Sequence, residues 1–192
     1  EPRDDLAALG PAAARVEVAV GILVRRPTGE ALRHGGGHAD VFVQIDAPPQ
    51  REQMQQRVIG FDELLRNGEI TRMPKIFGVQ AANCAPCHAT WQSGGEVPVP
   101  VTVTPTVAEG IASSQPTRLR EVVRAVRRSG GAIAAVSENE IVSALGALAR
   151  MGLYVEPTCA AAAAGLTQWL ASGVIRTGET TVVVLTGSGL KS

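Results

Sequence analysis

The hydrophobic positions of this chain fall into two rhythms, and their alternation is its main structural signal. Val16, Val18, Val20, Ile22 and Val24 recur at every second residue, the period of a strand. Asp40-Val-Phe-Val-Gln-Ile45 reads as a short buried strand, broken by Pro48-Pro49. Met54, Val58, Phe61 and Leu65 then share one face of a helix over residues 51–67, and Gly68 is placed to stop it. Lys75 to Gln80 is the next strand, and the Gly-, Pro- and Val-rich residues 92–105 read as an extended loop. Leu119, Val122, Val123 and Val126 make a helical stripe that Gly130-Gly131 end, and Ala132 to Val136 is a short strand. Ser137-Glu-Asn-Glu140 is a capping-box pattern ahead of a helix whose buried face is Ile141, Ala144, Leu145 and Leu148, with Gly152 to end it. Thr158 is placed to cap a helix from Cys159 to Ser172, in which Ala160 to Ala164 read as a close-packing face. Thr181 to Leu185 is a continuous apolar, β-branched run, the pattern of a strand covered on both faces.

Strands alternating with helices imply an α/β fold: a mostly parallel sheet flanked by helices. The pattern divides the chain into an irregular N-terminal segment, residues 1–39, holding one strand and the Gly35-Gly36-Gly37 loop, and an α/β domain over residues 40–192. Composition narrows the partners. Lys+Arg and Asp+Glu are both 18, so no bulk charge draws the chain to nucleic acid or to an anionic membrane. No apolar run reaches the roughly 20 residues of a membrane helix, and the charged opening EPRDDLAALG is not a signal-peptide pattern. Three cysteines do not suggest a disulfide framework, which makes a reducing cytoplasm the expected location.

Four segments carry more than fold information. They are GFDELLRNGEITRMPKIFGVQAA at 60–82, TVAEGIASSQPTR at 106–118, GGAIAAVSENEIVSALGALARMGLYVEPTCAAAAAGL at 130–166, and TVVVLTGSGLKS at 181–192. In order and spacing they resemble the C-terminal half of threonine synthase and its fold-type-II relatives, which depend on pyridoxal 5'-phosphate (PLP). The resemblance implies a PLP site at the C-terminal edge of a parallel sheet, where ligands of open α/β sheets bind. It implies that Thr186 hydrogen-bonds the pyridine nitrogen, and that Gly187 and Gly189 let the backbone approach the cofactor. It puts Glu156-Pro-Thr158 on the cofactor side and Glu109-Gly110 near the cleft. The activity implied is that of an amino-acid lyase converting phosphohomoserine to threonine by β,γ-elimination and hydration, with a small amino acid as substrate.

The sequence departs from that pattern in two places. The Schiff-base lysine of the family lies upstream in an S-x-K-D-like segment, and here the only lysines are Lys75, at the start of a strand, and Lys191, in the TGSGLK tail. The family's glycine-rich phosphate loop corresponds to Gln44-Ile-Asp-Ala-Pro-Pro-Gln50, which has no glycine, an acidic residue and two prolines without N–H groups. The expectation is therefore a fragment or degenerate form, inactive by itself, that self-associates or is completed by an N-terminal half. A non-catalytic α/β interaction module is the alternative. A third reading rests on Cys84-Ala-Pro-Cys87-His88, which matches the C-x-x-C-H pattern of covalent haem attachment. For zinc the same residues need a fourth ligand, and His34, His38 and Cys159 are candidates only by elimination. Without haem or metal, the five residues read as a cluster on a loop with a reactive thiol.

Overall fold

A computed structural model describes residues 16–20, 39–44, 60–176 and 178–191. Its centre is a five-stranded sheet. The strands are β1 (Val16–Val20), β2 (Ala39–Gln44), β3 (Ile76–Ala81), β4 (Ile133–Val136) and β5 (Thr180–Leu185). They lie in the order β1-β5-β2-β3-β4 and every pairing is parallel. The period-two run at the N-terminus thus joins the same sheet, its Val16 in register with Thr181. The expected strand residues 21–24, the Gly35–Gly37 loop, the phosphate-loop stretch after Gln44 and the first part of the helix at 51–67 lie outside the described residues.

Five helices accompany the strands among the described residues. They are α1 (residues 60–66), α2 (Pro86–Gln92), α3 (Leu119–Ser129), α4 (Glu138–Arg150) and α5 (Pro157–Ala171). Successive side chains of a strand point to opposite faces, and β3 shows the result. Phe77, Val79 and Ala81 enter one core with α4 and α5, while Ile76 enters a second core with Leu119, Val123 and Val126 of α3 and Cys87 of α2. All six residues of β3 are buried. In β5 only one face is fully covered: Thr181, Val183 and Leu185 are buried, and Val182 and Val184 are half-buried. The continuous apolar run predicted cover on both faces. The difference arises because α2 and α3 pack over β3 and β4, and β2 separates these strands from β5.

The helix ends follow the sequence signals. Ser137 accepts from the Glu140 N–H at 3.3 Å and its own N–H donates to the Glu140 carboxylate at 2.7 Å, completing the capping box. Helices α1, α3 and α4 each finish in the paired i−5 and i−3 hydrogen bonds of a Schellman turn, at Gly68, Gly130 and Gly152, all with positive φ. The predicted cap of α5 is a correction. The helix starts two residues earlier than expected, with Pro157 at its first position and Glu156 at the cap. Proline is preorganised for that first position, which leaves Thr158 inside the first turn and available for another role.

The last turn of α3 is tied to the first residue of β3. Ser129 Oγ accepts the Ile76 N–H at 2.9 Å and donates to the Val126 carbonyl at 2.8 Å. Gly131 lies so close to the Ile76 carbonyl that a Cβ would coincide with it. Gly131→Ala is therefore expected to lower stability by about 2–4 kcal/mol, in the range of overpacked core substitutions. Gly146 sits within α4, where an added methyl group would meet its nearest neighbour at an ordinary contact distance of 3.6 Å. Gly146→Ala is expected to gain up to about 1 kcal/mol. Urea denaturation of both variants measures this, and equal midpoints would refute it.

Candidate functional site

The C-terminal ends of β4 and β5 face one cluster of loops. Residue by residue, it is tied together by backbone groups. Thr104 N–H donates to the Asn83 carbonyl at 3.0 Å, and the Asn83 amide donates to the Pro105 carbonyl. Further along the same loop, the Val107 N–H donates to Glu138 Oε2 at 2.7 Å, at the start of α4. The Gly110 N–H donates to Thr158 Oγ1 at 3.2 Å, at the start of α5. A side chain at Gly110 would press on Thr158, with a Cβ 2.9 Å from its hydroxyl. The loop carrying Glu109 and Gly110 is thus pinned across the N-termini of two helices. This is the role Thr158 plays in place of capping.

Thr186 is the first residue after β5 and is exposed there. Behind it lies Cys159 of α5, which is buried. The Gly187 N–H donates to Cys159 Sγ at 2.8 Å, and Thr186 Oγ1 is 3.5 Å from the same sulfur. The Glu156 carboxylate occupies the space that a Cβ at Gly187 would need, and the Tyr154 ring fills the same space at Gly189. The turn is further held by a single antiparallel bridge between Val155 and Ser188 and by a Gly189 N–H bond to the Tyr154 carbonyl at 3.2 Å. So the sequence-predicted residues Thr186, Gly187, Gly189, Glu156, Thr158 and Gly110 come together in one region. Packing against Glu156 and Tyr154 accounts for the two glycines without a ligand. In the sequence Cys159 is a candidate only for a fourth zinc ligand; nothing in its spacing points to Thr186.

The family model for pyridoxal-phosphate dependent enzymes matches residues 58–187. The chain belongs to the pyridoxal-phosphate-dependent enzyme family. It is 35% identical to the threonine synthase of Methanocaldococcus jannaschii over 133 residues, which cover 69% of this chain and 33% of that protein. Against the threonine synthase of Methanosarcina acetivorans it is 37% identical, with the same coverage. The solved threonine synthase of Escherichia coli superposes with a TM-score of 0.58 at 17% identity, covering 81% of this chain and 33% of that one. That likeness establishes the fold: the parallel α/β arrangement of the fold-type-II enzymes. The chain spans about a third of the length of the threonine synthases it matches.

How far do the residues present fit the cofactor of this family? The nitrogen side fits: an exposed hydroxyl stands at the C-terminal end of β5, on a turn fixed from behind. The lysine side does not. Lys75 pairs with Glu179 at 3.9 Å, and these residues immediately precede β3 and β5. They lie at the N-terminal edge of the sheet, and the seven residue rises from Glu179 to Thr186 put about 23 Å between that edge and the Thr186 turn. Lys191 closes a short turn over Gly189–Lys191, and its side chain lies outside the described residues.

The Cys84-Ala-Pro-Cys87-His88 cluster begins just after Asn83, beyond the end of β3, and its setting differs from the expected one. It is not on a loop. Cys84 ends a single 3-10 turn and Cys87 and His88 belong to α2. Both thiols are buried, so the expected reactive thiol is not found there. Burial raises the pKa of both, and that of Cys87, with Cys84 beside it, reaches about 12. A thiol held neutral is a poor nucleophile. Burial also lowers the pKa of His88. Gln80 does what Ala85 cannot at the start of α2: its side-chain oxygen accepts the N–H groups of Cys87 at 2.8 Å and His88 at 3.1 Å. Among the described residues no group of three or more His, Cys, Asp or Glu side chains is placed to hold a metal; His34 and His38 lie outside them.

The buried Cys87 makes stability sensitive to alkali. Its folded pKa, about 12, lies above the ordinary 9.0. The contribution of the neutral thiol is present in full below about pH 9 and is lost as the pH rises through the folded value. The urea midpoint of the chain is expected to fall more steeply between pH 9 and pH 11 than that of Cys87→Ala. Parallel curves would show that this thiol does not carry the effect.

Proposed function

We propose that the chain forms the pyridine-nitrogen side of a PLP site in an amino-acid lyase of the threonine-synthase type, acting on phosphohomoserine. The observation that carries the reading is the Thr186 hydroxyl, exposed at the carboxyl end of β5 on a turn that Cys159, Glu156 and Tyr154 hold in place. Identity of 35–37% to threonine synthases over 133 residues supports this substrate class over the threonine deaminases of the same fold. PLP, when bound, serves as the electron sink for carbanions of the amino-acid substrate. Thr186 donates a hydrogen bond to the ring nitrogen, and a neutral hydroxyl in that position does not favour ring protonation as a carboxylate would. Gly110 and Thr158 fix the loop that borders the cleft.

The Schiff-base lysine and the phosphate loop come, in this reading, from an N-terminal half. The half-buried Val182 and Val184 support such a complement, because they leave apolar surface on β5 for another layer to cover. The competing reading, a non-catalytic α/β module, is favoured by one observation: Lys75 stands at the wrong edge of the sheet.

The 192-residue chain alone is expected to release no phosphate from phosphohomoserine and to bind PLP weakly and without a covalent bond. Borohydride reduction followed by peptide mass mapping is expected to leave Lys75 and Lys191 unlabelled; stoichiometric labelling of either lysine, or phosphate release, would refute the assignment of the lysine to another segment. Thr186→Val is expected to weaken PLP binding about fivefold to tenfold, the size of one hydrogen bond of roughly 1 kcal/mol. A chain that binds no PLP, or binds it equally well with valine at that position, would favour the non-catalytic module.

A further inference from the structure

Cys159 is the third residue of α5 and has no exposed surface. Its sulfur meets three groups. The Gly187 N–H approaches it at 2.8 Å, Thr186 Oγ1 lies at 3.5 Å and Glu156 Oε1 at 3.9 Å. Two of these belong to the turn that presents the Thr186 hydroxyl. The third belongs to the carboxylate that packs over Gly187. A side chain at this position therefore governs both where the turn sits and which way the hydroxyl proton points.

A thiol has one proton to give. If it goes to Thr186 Oγ1, the threonine proton is released toward the open side of the turn and the hydroxyl acts there as a donor. If it goes to Glu156, the sulfur is left to accept from the threonine, whose lone pairs then face outward. The threonine oxygen is the nearer, at 3.5 Å against 3.9 Å, and hydrogen bonds to sulfur weaken with length as others do. The Gly187 N–H occupies one sulfur lone pair, so the S–H and the second lone pair are what the thiol has left to offer, and the distances favour the S–H on Thr186 over the S–H on Glu156.

We propose that Cys159 is a positioning residue: it donates to Thr186 and so commits the threonine hydroxyl to donate outward, to a ligand with an unprotonated aromatic nitrogen. This inference rests on the assignment of Thr186 to the pyridine nitrogen. Burial raises the Cys159 pKa, with a further rise from Glu156, against the lowering influence of the Thr186 and Gly187 groups beside the sulfur. The thiol therefore keeps its proton at neutral pH. Cys159 makes no contact with substrate in this scheme and acts through Thr186 alone.

The test compares PLP with its isosteric deaza analogue, in which the ring nitrogen is replaced by C–H. Dissociation constants of both are measured by equilibrium dialysis against the 192-residue chain and its Thr186→Val, Cys159→Ala and Cys159→Ser variants, each first shown to be folded by circular dichroism. The wild-type chain is expected to favour PLP about fivefold to tenfold, and Thr186→Val to remove the preference. Cys159→Ala is expected to reduce the preference to twofold or less, and Cys159→Ser, which keeps a donor and an acceptor, to restore most of it. A loss of binding equal for both ligands would mean a merely structural role for Cys159. Full preference retained in Cys159→Ala would overturn the proposal while leaving the Thr186 assignment intact. Absence of any preference in the wild-type chain would overturn the Thr186 assignment itself. If no variant binds either ligand, amide hydrogen exchange at Gly187 decides the remaining claim: protection unchanged in Cys159→Ala would show that the thiol does not hold the turn.

Discussion

The close approach of α5 to the sheet is the constraint on which the rest of the structure depends. Five successive alanines, Ala160 to Ala164, are all buried, so this helix has no solvent face along that stretch. Gly165 continues the contact: a Cβ there would come within 2.5 Å of Val79 Cγ2. Small residues let a helix backbone lie nearly on the strands, and the space they leave is filled from the ends of the contact. Phe77 and Trp169 do so at one end, their ring centroids 4.8 Å apart at a tilted 51°, an arrangement aromatic pairs favour. A larger residue anywhere along this seam would lift the whole helix. Since Glu156, Thr158 and Cys159 ride on its first turn, it would also carry them away from Thr186.

This seam also sets the frame to which the loops of the site region are tied. The turn after β5, the loop bearing Glu109 and Gly110, and the starts of α4 and α5 are joined by single hydrogen bonds to backbone N–H groups. Each is worth on the order of 1 kcal/mol. None would hold a loop by itself. They hold because the helix N-termini they attach to are already fixed by the core. Glu138 and Thr158 serve as anchors for Val107 and Gly110 from helices whose next turns carry the fully buried Ile141 and Ala160.

Much of this was legible in the sequence. Hydrophobic period and glycine punctuation were enough for the parallel sheet, the capping box at Ser137 and the turns at Gly68, Gly130 and Gly152, because each of these is decided by local chemistry. Three features were not legible, for three reasons. Thr158 looks like a cap because its side chain suits one; the competing Pro157, two residues before Cys159, moves the helix start. The half-covered face of β5 depends on which strand lies beside it, and Val-Val-Val reads the same with one neighbour layer or two. Cys159 is an ordinary buried thiol by sequence, and its relation to Thr186 exists only because residues 27 positions apart are brought together by the seam. The same limit applies to Gln80, which caps a helix from an adjacent strand.

The two edges of the sheet also show why membership of the family and activity are separate questions for these residues. The alanine seam, the α3–β3 tie at Ser129 and the capping box all lie within the described segments. The chemistry of a PLP lyase needs in addition an amine on the same edge as Thr186. The lysine whose side chain is described, Lys75, is bound to Glu179 at the opposite edge, and no rotamer of a side chain about 6 Å long spans a strand. The packing that fixes the fold and the packing that fixes the Thr186 turn are therefore one contiguous unit, joined through Cys159 on the first turn of α5, whereas Lys75 lies at the far edge of the sheet.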